Sequence, residues 1–193
     1  MSTTSLRGKL VSQIEIKSSA DVFHELFRHK THQLSKTSPH SIHNCDLHDG
    51  DWGTVGSIIS FDYTHDGKKC VSKDRVEAID EEKKLVKFKV IEGDPLELYK
   101  NISITVHVDT HGESNLVAWT IEYEKLHEGI PDPNTLMDLC LQLTKDVESH
   151  HLSSPYVDTV DQSNLVTWTL EYEKTDERVP DPQYLHGTLA SDY

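Results

Sequence analysis

Residues Leu10, Ser12, Ile14 and Ile16 alternate with Val11, Gln13, Glu15 and Lys17, a period of two that predicts a strand over 9–17 with one wet face. A helix should follow: Val22, Phe23, Leu26 and Phe27 form an apolar stripe, Asp21 suits the first turn, and Ser18 or Ser19 can serve as N-cap. Residues 31–37 add a further helical turn or two and stop before Pro39, whose ring disfavours helix at the residue before it. Strands are then expected over 42–48, 54–63 and 70–80, with His65-Asp66-Gly67 as a hairpin signal.

Val86, Phe88 and Val90 alternate with Lys87 and Lys89, and Ile102, Ile104, Val106 and Val108 with Ser103, Thr105 and His107. A last strand over 115–125 puts Val117, Trp119, Ile121 and Tyr123 on one face. Asp132-Pro133 reads as an N-cap followed by proline at the first helical position. Leu136, Leu139, Cys140, Leu143 and Val147 then recur at spacings of three and four up to about His151, a helix of roughly five turns. The order is strand, one or two short helices, six strands, long helix. It predicts an α+β fold in which one curved antiparallel sheet wraps a long helix, an arrangement that tends to enclose a cavity.

Part of this pattern occurs twice. Residues 157–185 repeat 108–136 at an offset of 49, identical at 18 of 29 positions. The copy offers one strand over 165–174 and a helix start at Asp181-Pro182, but His186-Gly187-Thr188 lacks the apolar spacing to continue. The chain is therefore divided into one domain, 1–152, and a tail, 153–193. A lone strand cannot bury its apolar face. Three outcomes stay open for the tail: disorder, pairing on a sheet edge or another chain, and replacement of the native last strand by its copy.

Charge narrows the function. With 19 Lys and Arg against 33 Asp and Glu, the net charge of −14 opposes binding to nucleic acid or to an anionic membrane surface. The tail is disproportionately acidic, with 8 acids against 2 bases. Cys45, Cys70 and Cys140 are scattered and form no CxxC pair, which fits reduced thiols in the cytosol. Residues 1–10 have no apolar core of a signal peptide, and no apolar run reaches the roughly 18 residues that cross a bilayer. A cytoplasmic protein without membrane insertion is expected; the oligomeric state is left open.

Little of the sequence reads as catalytic. Gly50, Gly53 and Gly56 lie in a glycine-rich loop, but it leads into a strand, not a helix, and Asp49 and Asp51 would repel a phosphate. It is expected to be a tight loop. His24, His29, His32, His40, His43 and His48 crowd the first quarter without HExxH spacing, so no metal or other cofactor is predicted. Ser72, Asp74 and Val76 share a parity on the third strand of the run, which makes Asp74 the best inward-facing carboxylate and a weak candidate for a base.

The run from Cys45 to Ile58 (CDLHDGDWGTVGSI), with Gly8-Lys9-Leu10, Val90-Ile91-Glu92-Gly93-Asp94 and Glu122-Tyr123-Glu124-Lys125, resembles the plant major latex protein family. That family is a branch of the superfamily of the birch pollen allergen and the pathogenesis-related class 10 proteins. The resemblance covers about residues 6–152. It implies a helix-grip, START-like fold: seven antiparallel strands, two short helices and a long C-terminal helix around a hydrophobic cavity. It also implies binding of lipids, sterols, hormones or flavonoids in defence or stress responses, mostly without enzymatic activity.

Some relatives are enzymes. The tyrosine, glutamate, lysine and aspartate of the norcoclaurine-forming enzyme would fall at Ser72, Asp74, Val86 and Ile104 or Thr105, and only Asp74 keeps the character of its counterpart. The first expectation is thus a carrier of apolar small molecules. Its wall is placed at Phe88, Val90, Ile104, Val106, Trp119, Ile121, Leu139 and Leu143, with Asp74 and Tyr123 as polar anchors. The alternatives are an isomerase or cyclase using Asp74 as base, and an interaction module acting through the acidic tail.

Overall fold

A computed structural model describes residues 6–112, 114–153, 157–158, 165–168 and 188–190. Alternation drives the strands β1 (Arg7–Ile16), β2 (Ile42–Asp49), β3 (Ile58–His65), β4 (Lys68–Asp80), β5 (Leu85–Gly93), β6 (Tyr99–His111) and β7 (Ser114–Lys125). They form one antiparallel sheet in the order β1-β7-β6-β5-β4-β3-β2. Hairpins account for every neighbour except β1, which returns to pair with β7 from Arg7 opposite Glu124 to Ile16 opposite Asn115. The fold is the α+β helix-grip fold.

The two faces behave as alternation requires. On the inner face Val76, Val86, Phe88, Val90, Ile102 and Val106 are buried. On the outer face cross-strand ion pairs join Lys73 to Glu92 (3.0 Å) and Lys87 to Glu122 (3.2 Å).

The helices are α1 (Ala20–Arg28), α2 (Leu34–Thr37), preceded by a 3₁₀ turn at Thr31–Gln33, and the long α3 (Asn134–Ser153). Leu136, Met137, Cys140, Leu143 and Val147 are the buried stripe of α3. Polar contacts pin the helix at both ends. Near its start the Thr135 hydroxyl donates to Asp66 Oδ2 at 2.8 Å and lies 2.8 Å from His65 Nε2, on the β3–β4 hairpin. Near its end the Glu148 carboxylate accepts the backbone N–H of Lys17 (2.7 Å) and Ser18 (3.2 Å) as well as the Ser18 hydroxyl. Thr135 and Glu148 are 13 residues apart, so the helix reaches about 20 Å across the sheet.

Three local expectations are corrected. Ser19 holds the N-cap position of α1 but makes no side-chain cap bond; the orphan N–H groups just before it are met by Glu148 of α3. Asp132 does not cap α3 with its side chain, which instead pairs with Lys125 Nζ at 2.6 Å. The strand expected from residue 54 starts at Ile58, because the left-handed backbone of Gly56 (φ +96°) turns the chain just before it.

Gly50 (φ +85°) and Gly53 (φ +74°) are left-handed too, so the glycine-rich stretch is the tight loop that was expected. At Gly53 a β-carbon would also collide with the His29 ring, whereas at Gly56 it would meet open space. Gly53→Ala is therefore expected to cost about 2–3 kcal/mol and Gly56→Ala about 1 kcal/mol, measured by urea unfolding. Equal losses would show that the His29 contact yields freely.

The C-terminal unit, 152–193, is separate by its contacts. In it β8 (Val157–Asp158), β9 (Leu165–Trp168) and β10 (Thr188–Ala190) form a small antiparallel sheet in the order β10-β9-β8. β9 is the start of the strand expected over 165–174, and it has two strand neighbours where a lone strand was foreseen. Runs of two and three residues have no readable period, so those neighbours left no signal. The rest of that strand and the helix start at Asp181-Pro182 lie outside the described residues.

Candidate functional site

The inner face of the sheet and the underside of α3 do not meet everywhere, and the gap is a cavity. Its floor comes from every second residue of five consecutive strands: Phe61 and Tyr63 of β3, Ser72 and Asp74 of β4, Phe88 and Val90 of β5, Ile104 of β6 and Trp119 of β7. Leu136, Leu139, Cys140 and Leu143, one helical stripe of α3, form the roof. Phe27, Thr31, Leu34 and Ile42 close one side and Pro95 another. The empty space between side chains, counted with its mouth, is about 700 Å³, but a water-sized sphere has only about 90 Å³ in which to move. Ligand pockets usually offer about 300–1,000 Å³. A ligand of ordinary size therefore needs side chains of the wall to give way.

A second hollow, about 370 Å³ by the same water-sized measure, adjoins the cavity on its outer, charged side. It shares Tyr63, Pro95 and Leu136 with the cavity, so these three side chains stand between them. The outer hollow is lined with charge, including Lys68, Lys69, Asp94 and Glu97.

Few polar atoms of the cavity wall are free. The Thr31 hydroxyl donates to the Phe27 carbonyl (3.0 Å), and Trp119 Nε1–H donates to the Thr144 hydroxyl (2.8 Å), which donates in turn to the Cys140 carbonyl (3.1 Å). Asp74 is the exception. It is 6 % exposed, and its Oδ1 has no hydrogen-bond partner. Burial pushes its carboxyl up to about 7, and a hydrogen bond from the Ser72 hydroxyl pulls the other way.

The other titratable groups of the wall keep their protons at neutral pH. Burial raises the Cys140 thiol to about 12 and lifts the Tyr63 phenol further still. Among the described residues no group of three or more His, Cys, Asp or Glu side chains could hold a metal ion.

Of the residues expected at the site, Asp74, Phe88, Val90, Ile104, Trp119, Leu139 and Leu143 come together on this wall. Val106, Ile121 and Tyr123 do not. Val106, between Val86 and Trp119 in the sheet, and Ile121, beside Ile104, are filled core. Tyr123 stands at the end of the sheet. Its ring meets Tyr99 edge-on at 5.8 Å, and its hydroxyl, raised to about 12 chiefly by desolvation, is hydrogen-bonded to Asp132. It fastens the loop before α3 and is no anchor for a cavity ligand. The glycines of the loop, Gly50, Gly53 and Gly56, also lie off the wall; the Ser57 hydroxyl closes that loop by donating to the Asp51 carbonyl at 2.6 Å.

Sequence reasoning missed the other wall residues, among them Phe61, Tyr63, Ser72, Leu136 and Cys140. The signals were present: Phe61 and Tyr63 share one parity, Ser72 shares that of Asp74, and Leu136 and Cys140 lie on the same stripe as Leu139 and Leu143.

The model of the Pathogenesis-related protein Bet v 1 family matches residues 5–154. The chain belongs to the Bet v 1 family. Within it, the sequence is 46 % identical over 152 residues to MLP-like protein 43 of Arabidopsis thaliana, covering 78 % of this chain and 96 % of that one. MLP-like protein 28 of the same plant is equally identical over 152 residues, but there the match covers 78 % of this chain and 45 % of the relative, so the chain spans about half of that protein's length. The crystal structure of ginseng major latex-like protein 151 from Panax ginseng superposes with a TM-score of 0.76 at 49 % identity, covering 77 % of this chain and 99 % of that one.

Two more distant structures share the fold alone. Norcoclaurine synthase from Thalictrum flavum is 21 % identical with a TM-score of 0.63, covering 77 % of this chain and 88 % of that one. A START superfamily protein from Mycobacterium smegmatis is 16 % identical with a TM-score of 0.60, covering 74 % and 95 %. Binding of hydrophobic ligands is general in the Bet v 1 family.

Proposed function

We propose that this protein carries or buffers an apolar small molecule of the lipid, sterol, hormone or flavonoid kind, held under α3, in the cytosol of a plant cell and in the service of defence or stress responses. The observation that carries the reading is the apolar cavity between α3 and the inner face of the sheet. Affinity would come from burying ligand surface, about 25 cal/mol per Å², less the cost of immobilising the ligand. The outer hollow behind Tyr63, Pro95 and Leu136 is the natural route of entry.

The test is a fluorescent apolar probe. Its emission should rise with the protein and fall when sterols or fatty alcohols displace it. Leu139→Trp, which fills the cavity from the half-buried roof, should weaken probe binding about tenfold or more while the protein still unfolds cooperatively. No gain in emission, or binding that is indifferent to Leu139→Trp, would sink the proposal. We assign binding to residues 1–152, so deleting 153–193 should leave it unchanged; a partner lost on that deletion would instead mark the acidic tail as an interaction module.

A second reading, an isomerase or cyclase with Asp74 as base, draws on the carboxyl that titrates near 7. Asp74 could take the proton and return it, but no Lys, Arg or His among the described residues of the wall would stabilise the anion formed in between. Turnover that is lost in Asp74→Asn while probe binding survives would establish the enzyme.

A further inference from the structure

We propose that the cavity selects apolar molecules bearing a hydrogen-bond donor, an alcohol or an amine, and seats that donor on Asp74. This rests on the carrier reading above and adds the chemical class of the ligand. The argument is one of satisfaction. A buried acceptor without a donor is unfavourable, and the hydroxyl of Thr31 and the indole N–H of Trp119 are already engaged elsewhere. Asp74 Oδ1 is the acceptor left over on a wall that is otherwise almost wholly apolar.

An incoming hydroxyl or ammonium would meet it. An ether of the same size would leave it unmet, and a ligand carboxylate would place a second anion beside it in a medium that screens poorly.

The Ser72 hydroxyl already hydrogen-bonds the Asp74 carboxyl, and Oδ1 is the oxygen left without a partner. Ser72 of the same strand, Tyr63 of β3 and Cys45 of β2 are the polar or titratable groups that interact with Asp74, and Cys140 of α3 lines the same cavity. Burial holds all three of the titratable ones in their neutral forms. No Lys, Arg or His is among the described residues that line the cavity. A ligand cation would therefore be the counter-charge of Asp74, and its binding should depend on the protonation of that carboxyl.

Four ligands of one length separate these possibilities: 1-octanol, octylamine, octanoate and 1-methoxyheptane, each displacing the fluorescent apolar probe from the full chain at about pH 8. The alcohol should bind about tenfold or more tightly than the ether, and octanoate should be the weakest. Octylammonium binding should weaken as the pH falls through about 7, and calorimetry in two buffers near pH 6 should show release of a proton.

Asp74→Leu should make alcohol and ether equal. Asp74→Asn, which keeps an acceptor but no charge, should lose the proton release and the pH dependence of octylammonium binding while retaining a preference for the alcohol. A preference that survives in Asp74→Leu, or wild-type protein that binds alcohol and ether alike, overturns the inference. Failure of the probe itself to bind overturns the carrier reading, so the two failures are distinguishable.

Discussion

Asp74→Asn is expected to be more stable than the natural protein at pH 8 by about 2–4 kcal/mol. Burial raises the Asp74 carboxyl from 3.8 to about 7, roughly three pH units, each equivalent to about 1.4 kcal/mol. The direction follows from proton counting. Between pH 4 and 7 the unfolded chain has released this proton and the folded chain retains it, so stability falls as pH rises. The favourable contribution is complete below about 3.8 and gone above about 7, where both states are ionised.

Asparagine does not titrate, so the difference between the two proteins should open across that window and remain level above it. With about 2–4 °C per kcal/mol for a chain of this size, the melting temperature at pH 8 should rise by about 5–12 °C. Other acids and histidines contribute to both curves and cancel in the difference. Urea unfolding at several pH values from 4 to 8 checks it, and parallel curves for the two proteins would show that Asp74 is solvated in the folded state.

A residue that weakens its own fold at neutral pH is unusual in a core. Core positions are normally filled by groups that agree with their surroundings, and departures concentrate where function needs them. Ser72 and Asp74 could be replaced by apolar residues on the same parity without disturbing the strand, since Val76 next along is buried at 3 % exposure. Their position on the cavity wall is the physical link between the fold and the proposed ligand chemistry.

The fold was legible because alternation is a local property. The strands over 85–91 and 102–108 and the stripe of α3 could be read residue by residue, and the buried parity of Ser72, Asp74 and Val76 was correct. Position along a strand was less legible. Alternation says that Ile104, Val106, Trp119 and Ile121 face inward, but only the lie of α3 decides that Ile104 and Trp119 line the space while Val106 and Ile121 are packed shut.

Tyr123 was misplaced for the same reason, its ring being one step too near the sheet end. The caps failed differently. Ser19 and Asp132 occur where capping residues occur, but Glu148, far away in sequence, meets the N–H groups before α1, and Lys125 takes up the Asp132 carboxylate. A residue's nearest chemical partner in space cannot be read from its neighbours in the chain.

Trp119→Ala should be the most damaging single change at the site, costing about 3–5 kcal/mol. Trp119 is 3 % exposed and joins the three parts of the grip: β7 carries it, Phe27 of α1 meets its ring edge-on at 5.3 Å, and its N–H reaches Thr144 of α3. Removing the indole opens a void where these elements converge and leaves the Thr144 hydroxyl only its bond to Cys140. Thr144→Val takes away the acceptor and keeps the packing, so it should cost about 1–3 kcal/mol, the penalty of one buried unpaired N–H.

Urea unfolding of the two variants and their combination separates the contributions; the double variant should cost less than the sum, because both changes remove the same hydrogen bond. If the protein still unfolds cooperatively, Trp119→Ala should also admit larger apolar probes than the natural cavity does. A loss no greater than that of Thr144→Val would mean that the neighbouring side chains collapse into the space, and that α3 is held by its terminal contacts, Thr135 with the β3–β4 hairpin and Glu148 with the end of β1, more than by its packing on Trp119.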